Sequence, residues 1–277
     1  MKFSAPAKLN LNLHIVGRRA DGYHLLESYF QLLDFGDELD IEVLEDESNI
    51  RVSPSIEDLD DDNNLIVRAA RLLRSYVGQP ELGAKISLTK RIPIGGGLGG
   101  GSSNAATTLL ALNDLWKLNL SRKTLAEIGL SLGADVPIFV HGYSAWATGI
   151  GEHLISVENR SVWYVVLRPP VAVSTAQIFQ HPELTRDSAS STVAAVLEGH
   201  CHNDCEPLVR ALYPPVDEGL KWLSQYGKAQ LTGTGSCIFA AFDDEATAHK
   251  VLNCKPMAFE GFVAKGIFAS PINSQVN

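Results

Sequence analysis

The feature that most constrains this chain is a glycine-rich segment directly before a stretch of helical composition. Six of the seven residues from 95 to 101 are glycine, and Ser102, Ser103 and Asn104 follow them. An ordered glycine loses more backbone entropy than any other residue, so this cluster indicates a backbone that takes positive φ angles or approaches a ligand closely. The N–H groups and the dipole at the start of a helix attract anions. The segment therefore predicts a phosphate-binding loop rather than a flexible surface loop.

Three known phosphate-site motifs do not account for this loop. A Walker A loop needs Lys followed by Ser or Thr after its last glycine, where this chain has Ser102. The spacing G-x-G-x-x-G runs from Gly95 to Gly100. A dinucleotide-binding loop also needs an acidic residue about 20 positions after it, whereas Asp114 and Glu127 lie 14 and 27 positions after Gly100. The Asp-Phe-Gly tripeptide at 34–36 precedes the loop, whereas the metal motif of protein kinases follows theirs.

The charge balance argues against a general nucleic-acid binder. The 277 residues include 23 Lys and Arg against 32 Asp and Glu, for a formal net charge of −9. Such a chain has no overall positive field for phosphate backbones, so any anion must be held by a local site. Its hydrophobic fraction of 45% and charged fraction of 20% are ordinary for a folded globular protein, and its length suits one large domain or two of ordinary size.

The cysteines and the apolar runs predict a cytoplasmic protein. All four cysteines lie in the last third of the chain, and the N-terminus lacks the basic region, long apolar stretch and cleavage site of a signal peptide. Apolar runs such as 136–140 and 163–167 are far shorter than the about 20 residues that span a bilayer. We therefore expect a reducing cytoplasm and no membrane partner.

Hydrophobic periodicity indicates an α+β chain in two halves, divided near residues 157–161. The alternation from 9 to 16 is typical of a half-buried strand. Asn63 or Asn64 is a suitable N-cap for the first amphipathic helix, and Ser121 for a later one. Strands are predicted over 9–16, 23–35, 38–44, 84–88, 163–167, 237–242 and 261–268, and helices over 65–76, 104–116, 121–132 and 245–252.

Two isolated charged residues are candidates for phosphoryl transfer, which needs a group that orients or deprotonates the acceptor hydroxyl. Lys8 stands at the entrance to the first strand, between Ala7 and Leu9. Asp135 lies in the otherwise apolar segment 134–140, and a carboxylate in such surroundings needs a partner, usually a lysine. Taken alone, Asp135 could be an exposed turn residue and Lys8 a solvated lysine.

Two further polar clusters are less specific. Residues 232–236 alternate hydroxyl residues with glycine between strand-like segments, which suits either a tight hairpin or close approach to a phosphate or substrate. Residues 200–205 crowd His and Cys together and invite a zinc interpretation. Structural zinc sites usually need a second spaced pair, whereas Cys237 and Cys254 are isolated from each other, so we expect ordinary helix residues at 200–205.

Three motifs, standing in this order, together resemble the kinase superfamily of galactokinase, homoserine kinase, mevalonate kinase and phosphomevalonate kinase. They are Pro-Ala-Lys-Leu-Asn-Leu at 6–11, the glycine loop at 95–105 and the segment 231–236. Within that superfamily the chain resembles the subfamily that phosphorylates a cytidine-diphosphate ester of methylerythritol, and Ala-Asp-Gly-Tyr-His at 20–24 is the specific signal for the cytidine. Similar stretches at 64–67, 132–137 and 262–266 extend the resemblance over nearly the whole chain.

The resemblance implies an α+β two-domain small-molecule kinase fold with the active site in the cleft between the domains. Residues 1–157 would form an N-terminal ATP-binding and catalytic domain of the ribosomal-protein-like type, and residues 158–277 a C-terminal ferredoxin-like domain. The implied reaction is ATP-dependent phosphorylation of the 2-hydroxyl of 4-diphosphocytidyl-2-C-methyl-D-erythritol, in the non-mevalonate pathway to isoprenoid precursors. The implied enzyme is a monomer or weak homodimer that binds no nucleic acid.

The resemblance also implies residue roles by position. Asp135 would be the general base or hydroxyl-orienting carboxylate, and Lys8 would pair with it. The residues near ATP would be Gly95, Gly96, Gly97, Leu98, Gly99, Gly100, Gly101, Ser102, Ser103, Asn104, Asn64 and Lys90. The residues near the substrate would be Asn10, Tyr23, His24, Thr175, Phe179, Thr234 and Gly235, of which Tyr23, His24 and Phe179 would recognise cytosine. Mg²⁺ would accompany ATP, and the sequence identifies no protein ligand for it.

Two alternatives stay open at this point. A sibling kinase acting on homoserine, mevalonate or a sugar would share the glycine loop but would have no use for a cytosine pocket at Tyr23 and His24. A nucleotide-binding module without enzymatic activity would bind ATP but would leave the pairing of Lys8 with Asp135 unexplained.

Overall fold

Strands and helices are mixed along the chain, as expected of an α+β protein. The computed structural model describes residues 1–20, 22, 24–44, 48–54, 62–158 and 160–276. The strands are β1 (Lys2–Arg18), β2 (His24–Leu44), β3 (Ile50–Ser53), β4 (Gly83–Thr89), β5 (Ala145–Thr148), β6 (His153–Ser156), β7 (Trp163–Arg168), β8 (Gln230–Leu231), β9 (Ile238–Phe242) and β10 (Glu260–Ile267). The helices are α1 (Leu65–Tyr76), α2 (Gly100–Leu115), α3 (Arg122–Leu130), α4 (Val136–His141), α5 (Thr175–Gln180), α6 (Val193–Leu197), α7 (Glu206–Leu212), α8 (Pro214–Leu223) and α9 (Glu245–Asn253). Within the described ranges no helix has the length and apolar character needed to cross a membrane.

One long strand organises the sheet. β2 pairs antiparallel with β1 along most of its length, while other parts of β2 pair with β5 at 28–30, β10 at 32–33 and β4 at 38–44. The sheet follows the order β3-β4-β2-β10-β7-β9-β8, and of these neighbours β3 and β4 are parallel. β2 therefore joins strands from the first half of the chain to strands from the second.

Three clusters of buried side chains hold these elements together, and β1 contributes to all of them. Ala5 packs in the first cluster with residues of α1 to α4. Leu13 packs in the second with residues of β7, β9, α7 and α8, and Leu9 packs in the third, which combines residues of both halves. The part of β1 that contains Lys8 is therefore anchored at both ends. The division into domains at residue 157 stays a prediction.

Helix caps were predicted correctly from local sequence. The helix predicted over 65–76 is confirmed as α1, and the side chain of Asn64 caps it by accepting a hydrogen bond from Ile66 N at 3.0 Å. Ser121 caps α3 by accepting from Thr124 N at 3.1 Å. Both caps satisfy an N–H group that the first turn of a helix cannot pair internally.

Two predicted strand boundaries are wrong, because strand pairing extends further than the local hydrophobic pattern. β1 begins at Lys2 rather than at residue 9, so Lys8 lies within the strand and not at its entrance. The segments 23–35 and 38–44 belong to one strand, whose described part is β2. A Cβ atom at Gly36 would collide with the backbone of Ala5, so glycine there lets the two paired strands approach.

The segment 200–205 is not helical, so the prediction of ordinary helix residues is wrong there. It precedes α7, and its backbone pairs with β1: Leu13 N donates to His202 O at 2.9 Å, and Asp204 N donates to Leu13 O at 2.9 Å. These bonds join residues from opposite halves of the chain, and no pattern within the segment itself indicates them.

Candidate active site

A cleft of about 1190 Å³ brings together the glycine loop, β1 and the beginning of α5. The sequence-predicted residues that line it are Lys8, Asn10, His24, Asn64, Lys90, Gly95, Gly96, Gly97, Leu98, Gly99, Gly100, Gly101, Ser102, Asn104, Asp135, Thr175, Phe179 and Thr234. Ser103 and Gly235 are buried and do not line it. Tyr23 lies outside the described residues.

Lys8 is a buried lysine held by three neighbours. Its side chain is 3% exposed, and its Nζ lies 3.2 Å from Oδ2 of Asp135. Nζ also donates to Oδ1 of Asn10 at 2.5 Å and lies 5.3 Å from the ring centroid of Phe30. A buried ammonium group is stable only when it is paired, and the carboxylate and the amide oxygen supply that pairing. The predicted pairing of Lys8 with Asp135 is therefore present in the structure.

Asp135 is placed by the start of a short helix. It occupies the N-cap position of α4, whose first turn contains Pro137. An aspartate at this position commonly accepts a hydrogen bond from the next turn, but Asp135 makes no such side-chain bond in the described part of the chain. Its carboxylate faces Lys8 instead, and 34% of the Asp135 side chain is exposed. The carboxylate is thus fixed on one side and open to a ligand on the other.

Asn10 connects the three sequence motifs. Its Oδ1 accepts from Lys8, and its Nδ2 donates to Oγ of Ser28 at 2.8 Å. Its backbone N–H donates to Oγ1 of Thr232 at 3.0 Å, and that hydroxyl donates to Gly97 O at 3.2 Å. Because Oγ of Ser28 accepts the hydrogen bond from Nδ2, the amide oxygen of Asn10 faces the ammonium of Lys8. The motif at 6–11 therefore meets the glycine loop and the segment 231–236 at one point.

The glycine loop needs its glycines for two separate reasons. Gly95, Gly97 and Gly99 have φ angles of 72°, 76° and 72°, which favour glycine. Close packing is the second reason: a Cβ atom at Gly99 would lie 2.8 Å from the ring of Phe139 and 3.1 Å from Cε of Lys8. The backbone of the loop therefore packs closely against Lys8, which binds Asp135.

The first turn of α2 is the electropositive end of the loop. Gly99 is the N-cap and has no side chain to occupy the N–H groups that follow it, as Asn64 and Ser121 do for their helices. Free N–H groups and the helix dipole favour a bound anion here. Oγ of Ser103 and Oδ1 of Asn104, in the same turn, are buried without a hydrogen-bond partner among the described residues.

Lys90 and Asn64 shape the neighbouring wall of the cleft. Nζ of Lys90 donates to Oδ2 of Asp37 at 2.8 Å and to the backbone carbonyl of Ile92. Oδ1 of the fully buried Asp37 accepts from the N–H groups of Arg91 and Ile92 at 2.7 and 2.8 Å. These bonds fix the segment between β4 and the glycine loop, while the side chain of Asn64 caps α1.

The other end of the cleft is aromatic. The rings of His24 and Phe179 stack with a centroid distance of 5.2 Å and an interplanar angle of 30°. Burial lowers the pKa of His24, and the nearby guanidinium groups of Arg186 and Arg18 lower that pKa further. Oγ1 of Thr175 and Oγ1 of Thr234 lie 2.9 Å apart beside this pair. A flat aromatic surface with hydroxyl groups next to it suits a heteroaromatic base.

Three residues that support the site are absent from the set of site residues predicted from the sequence. Ser28 orients Asn10, Thr232 joins Asn10 to the glycine loop, and Arg186 binds His24 through its Nε at 3.1 Å. Thr232 lies in a polar cluster that the sequence does predict. Ser28 and Arg186 carry no local signal, because their partners come from distant parts of the chain.

Comparisons with known proteins give consistent matches. The family model described as "GHMP kinases N terminal domain" matches residues 64–143, and the model described as "GHMP kinases C terminal" matches residues 184–254. A 4-diphosphocytidyl-2-C-methyl-D-erythritol kinase of Mannheimia succiniciproducens is 52% identical over 99% of this chain and 90% of its own length. A protein of the same name from Pseudomonas putida is 54% identical over 98% of this chain and 94% of its own. The crystal structure of a 4-(cytidine 5'-diphospho)-2C-methyl-D-erythritol kinase has a TM-score of 0.84 at 32% identity, covering 96% of this chain and 100% of that one.

Proposed function

Because this chain belongs to the GHMP kinases and, within them, to the 4-diphosphocytidyl-2-C-methyl-D-erythritol kinases, we propose that its cleft binds ATP at the glycine loop and the cytidine ester at His24. The enzyme phosphorylates 4-diphosphocytidyl-2-C-methyl-D-erythritol with ATP, a step of the non-mevalonate pathway. The observation that carries the assignment of roles is the ion pair of Lys8 and Asp135, which is buried on one side and open to the cleft on the other.

We assign the activation of the 2-hydroxyl of the acceptor to Asp135. The hydroxyl oxygen attacks the γ-phosphorus of ATP, the bond from that phosphorus to the β–γ bridging oxygen breaks, and ADP leaves. The hydroxyl proton passes to the carboxylate of Asp135. Phosphoryl transfer has a loose transition state that demands little deprotonation, so holding the hydroxyl in line is the larger part of this role.

Lys8 holds Asp135 and places a positive charge beside the reacting groups. Its Nζ is fixed by Asp135 and Asn10, so it needs no rearrangement when negative charge shifts during transfer. The close contact between Lys8 and Gly99 ties this ammonium to the loop that would hold the phosphates. The acceptor hydroxyl and the γ-phosphate are therefore expected to meet at Lys8.

The triphosphate of ATP is assigned to residues 95–103. The loop combines positive φ angles, a helix N-terminus without a side-chain cap and a place in the wall of the cleft. These three features support close approach of phosphate oxygens to backbone N–H groups. Asn64 and Lys90, on the wall beside the loop, are assigned to the adenosine end.

The donor set around the loop fits a Mg²⁺ ion that arrives with ATP. Among the described residues no group of three or more His, Cys, Asp or Glu side chains could hold a metal ion, and Asp135 is the only carboxylate of that part of the chain that lines the cleft. Mg²⁺ commonly keeps phosphate and water ligands and takes few from protein. Oδ1 of Asn104, buried and without a partner among the described residues, would be its protein ligand. When bound, the ion neutralises charge on the phosphates.

The cytosine is assigned to the aromatic end of the cleft. His24 and Phe179 supply stacked rings there, and Thr175 and Thr234 supply hydroxyl groups. Tyr23 precedes His24 in the sequence and is assigned to the same base on the resemblance alone. Gly235 is buried behind Thr234, so its contribution would be through the backbone.

We also propose where the enzyme works and how it is assembled. A reducing cytoplasm supplies ATP and suits a chain whose four cysteines are all free thiols. The active form would be a monomer or a weakly associated homodimer.

The test is ADP release from MgATP with four acceptors in parallel: 4-diphosphocytidyl-2-C-methyl-D-erythritol, mevalonate, homoserine and galactose. We expect turnover with the cytidine ester alone. Equal turnover with another acceptor would remove the cytosine assignment of His24 and keep the loop assignment. ATP binding without ADP release for any acceptor would remove the roles of Asp135 and Lys8.

A further inference from the structure

Arg186 lies outside the cleft and bonds to residues of its aromatic end. Its Nε donates to Nε2 of His24 at 3.1 Å. One terminal nitrogen donates to Leu184 O at 2.9 Å, and the other donates to Phe179 O at 3.0 Å and to His181 O at 2.8 Å. A single half-buried side chain thus joins the start of β2 to the end of α5 and the segment after it. Arg186 itself does not line the cleft.

The bond from Arg186 to His24 determines where the imidazole carries its proton. A guanidinium group is always protonated and only donates, so Nε2 of His24 must accept with its lone pair. The neutral imidazole then carries its proton on Nδ1. A second proton on Nε2 would face the guanidinium directly, so the cationic form is excluded while this bond persists.

We propose that Arg186 is a positioning and specificity-determining residue of the acceptor pocket, which holds His24 in the Nδ1–H tautomer against the ring of Phe179. This inference rests on the proposed function, in which His24 and Phe179 bind the base. With Nε2 occupied, the ring of His24 offers an N–H donor at Nδ1. Cytosine presents two acceptors on its pairing edge, N3 and O2, whereas uracil has an N–H group at position 3. A fixed N–H donor that faces position 3 of the base bonds to N3 of cytosine but opposes the N–H group of uracil, and in that position it favours cytosine.

The four acceptors explain why arginine is needed at this position. They lie on three separate segments, and the planar fork of a guanidinium group reaches them with donors in fixed directions. A lysine would keep the charge but has one nitrogen, and could not bond His24 and the carbonyl of Phe179 with the same geometry. The substitution Arg186→Lys therefore separates the effect of the positive charge from the effect of the guanidinium geometry.

The first measurement is the ¹⁵N spectrum of the His24 ring in the full, ligand-free protein. We expect a pyridine-like Nε2 and a pyrrole-like Nδ1 in the wild type. In Arg186→Gln the two tautomers should mix. A protonated Nε2 in the wild type, or an unchanged spectrum in Arg186→Gln, would overturn the inference without touching the proposed function.

The second measurement is kinetic and uses Arg186→Lys and Arg186→Gln. We expect KM for the cytidine acceptor to rise about tenfold or more, with KM for ATP and kcat changed by less than about twofold. The preference for CMP over UMP as inhibitors should shrink in both variants. Arg168→Ala is the matched control, since it removes an exposed arginine that pairs with Glu260 at 3.1 Å. A parallel loss of kcat and of both KM values, together with lower thermal stability, would show a structural role and overturn the inference.

A double-mutant cycle separates this inference from the proposed function. If Arg186 acts through His24, the effects of His24→Ala and Arg186→Gln on KM for the acceptor should not add. Additive effects would overturn the inference. If the wild type uses acceptors without cytidine equally well, the proposed function fails, while the ¹⁵N spectrum still reports whether Arg186 fixes the tautomer.

Discussion

Nζ of Lys8 lies 3.2 Å from Oδ2 of Asp135, although one residue is in the middle of β1 and the other precedes α4. The lysine is almost completely buried, whereas the aspartate keeps a third of its side chain open to the cleft. In the proposed function this asymmetry gives the two residues different tasks: the lysine is a fixed charge, and the carboxylate is the group that a substrate can reach. In the proposed mechanism Lys8 therefore supports the site, and Asp135 reacts with the substrate.

Replacing Asp135 by Asn tests the reactive member of the pair. The amide keeps the size of the side chain but cannot accept the hydroxyl proton and loses the charge that faces Lys8. We expect kcat to fall about a hundredfold or more while KM for both substrates changes little. Steady-state ADP release checks this, with Asp243→Asn, an exposed aspartate paired with Arg160, as the control. Near-wild-type turnover in Asp135→Asn would end the assignment.

Replacing Ser28 by Ala tests whether the site depends on the orientation of Asn10. Ser28 is 1% exposed, and its hydroxyl accepts from Nδ2 of Asn10 and donates to Asn12 O at 2.7 Å. Without it, Nδ2 loses its partner, and the amide can rotate away from Lys8. We expect kcat to fall about tenfold with KM for ATP retained. The exposed Ser87 on β4 provides the control Ser87→Ala, and equal activity in the two variants would contradict the role of Ser28.

The residue types of the candidate site were more predictable from the sequence than its geometry. The glycine loop, Lys8 and Asp135 stand out in the sequence because their composition is costly or unusual for their surroundings. Their convergence depends on β1 and β2 pairing over most of their lengths, with register shifts on either side of Lys8 and Asn10. Local periodicity does not contain that information, and it therefore predicted β1 too short and placed Lys8 at its entrance.

The residues that sequence reasoning missed share one physical property. Ser28 and Arg186 act only through partners that are far away in the chain, Asn10 and His24. Each residue type is ordinary in its own segment, so nothing marks it before the fold is known. The segment 200–205 shows the same limit, because ordinary helix residues were expected there, whereas its backbone bonds to Leu13 of β1 instead.

Replacing Gly99 by Ala tests the contact between the loop and Lys8. The new Cβ would meet the ring of Phe139 and Cε of Lys8 at a residue whose φ is 72°. We expect kcat/KM for ATP to fall about a hundredfold, since both the loop and Lys8 must shift. Gly78→Ala is the matched control: its φ is 68°, but a Cβ there meets nothing within 4 Å. A similar loss in both variants would show that backbone strain, rather than the contact with Lys8, causes the effect.

The stability of the enzyme should fall as the pH drops below about 6.5. Burial lowers the pKa of His14, His24 and His141, and the nearby His202, Arg186 and Arg122 respectively lower them further. In the unfolded chain these groups bind protons near their ordinary pKa of 6.5, whereas the folded protein binds them only at lower pH. Below that value the unfolded state therefore holds more protons, and acid favours unfolding.

Urea midpoints measured from about pH 7.5 to 5.5, above the range in which carboxylates titrate, check this direction. His141→Gln should flatten the fall, because His141 is half-buried and its Nε2 lies 2.9 Å from Oγ of Ser156, away from the cleft. A urea midpoint that rises toward pH 5.5 would mean that the folded protein binds these protons more readily than the unfolded chain. That result would contradict burial of the three rings as the cause of the pH dependence.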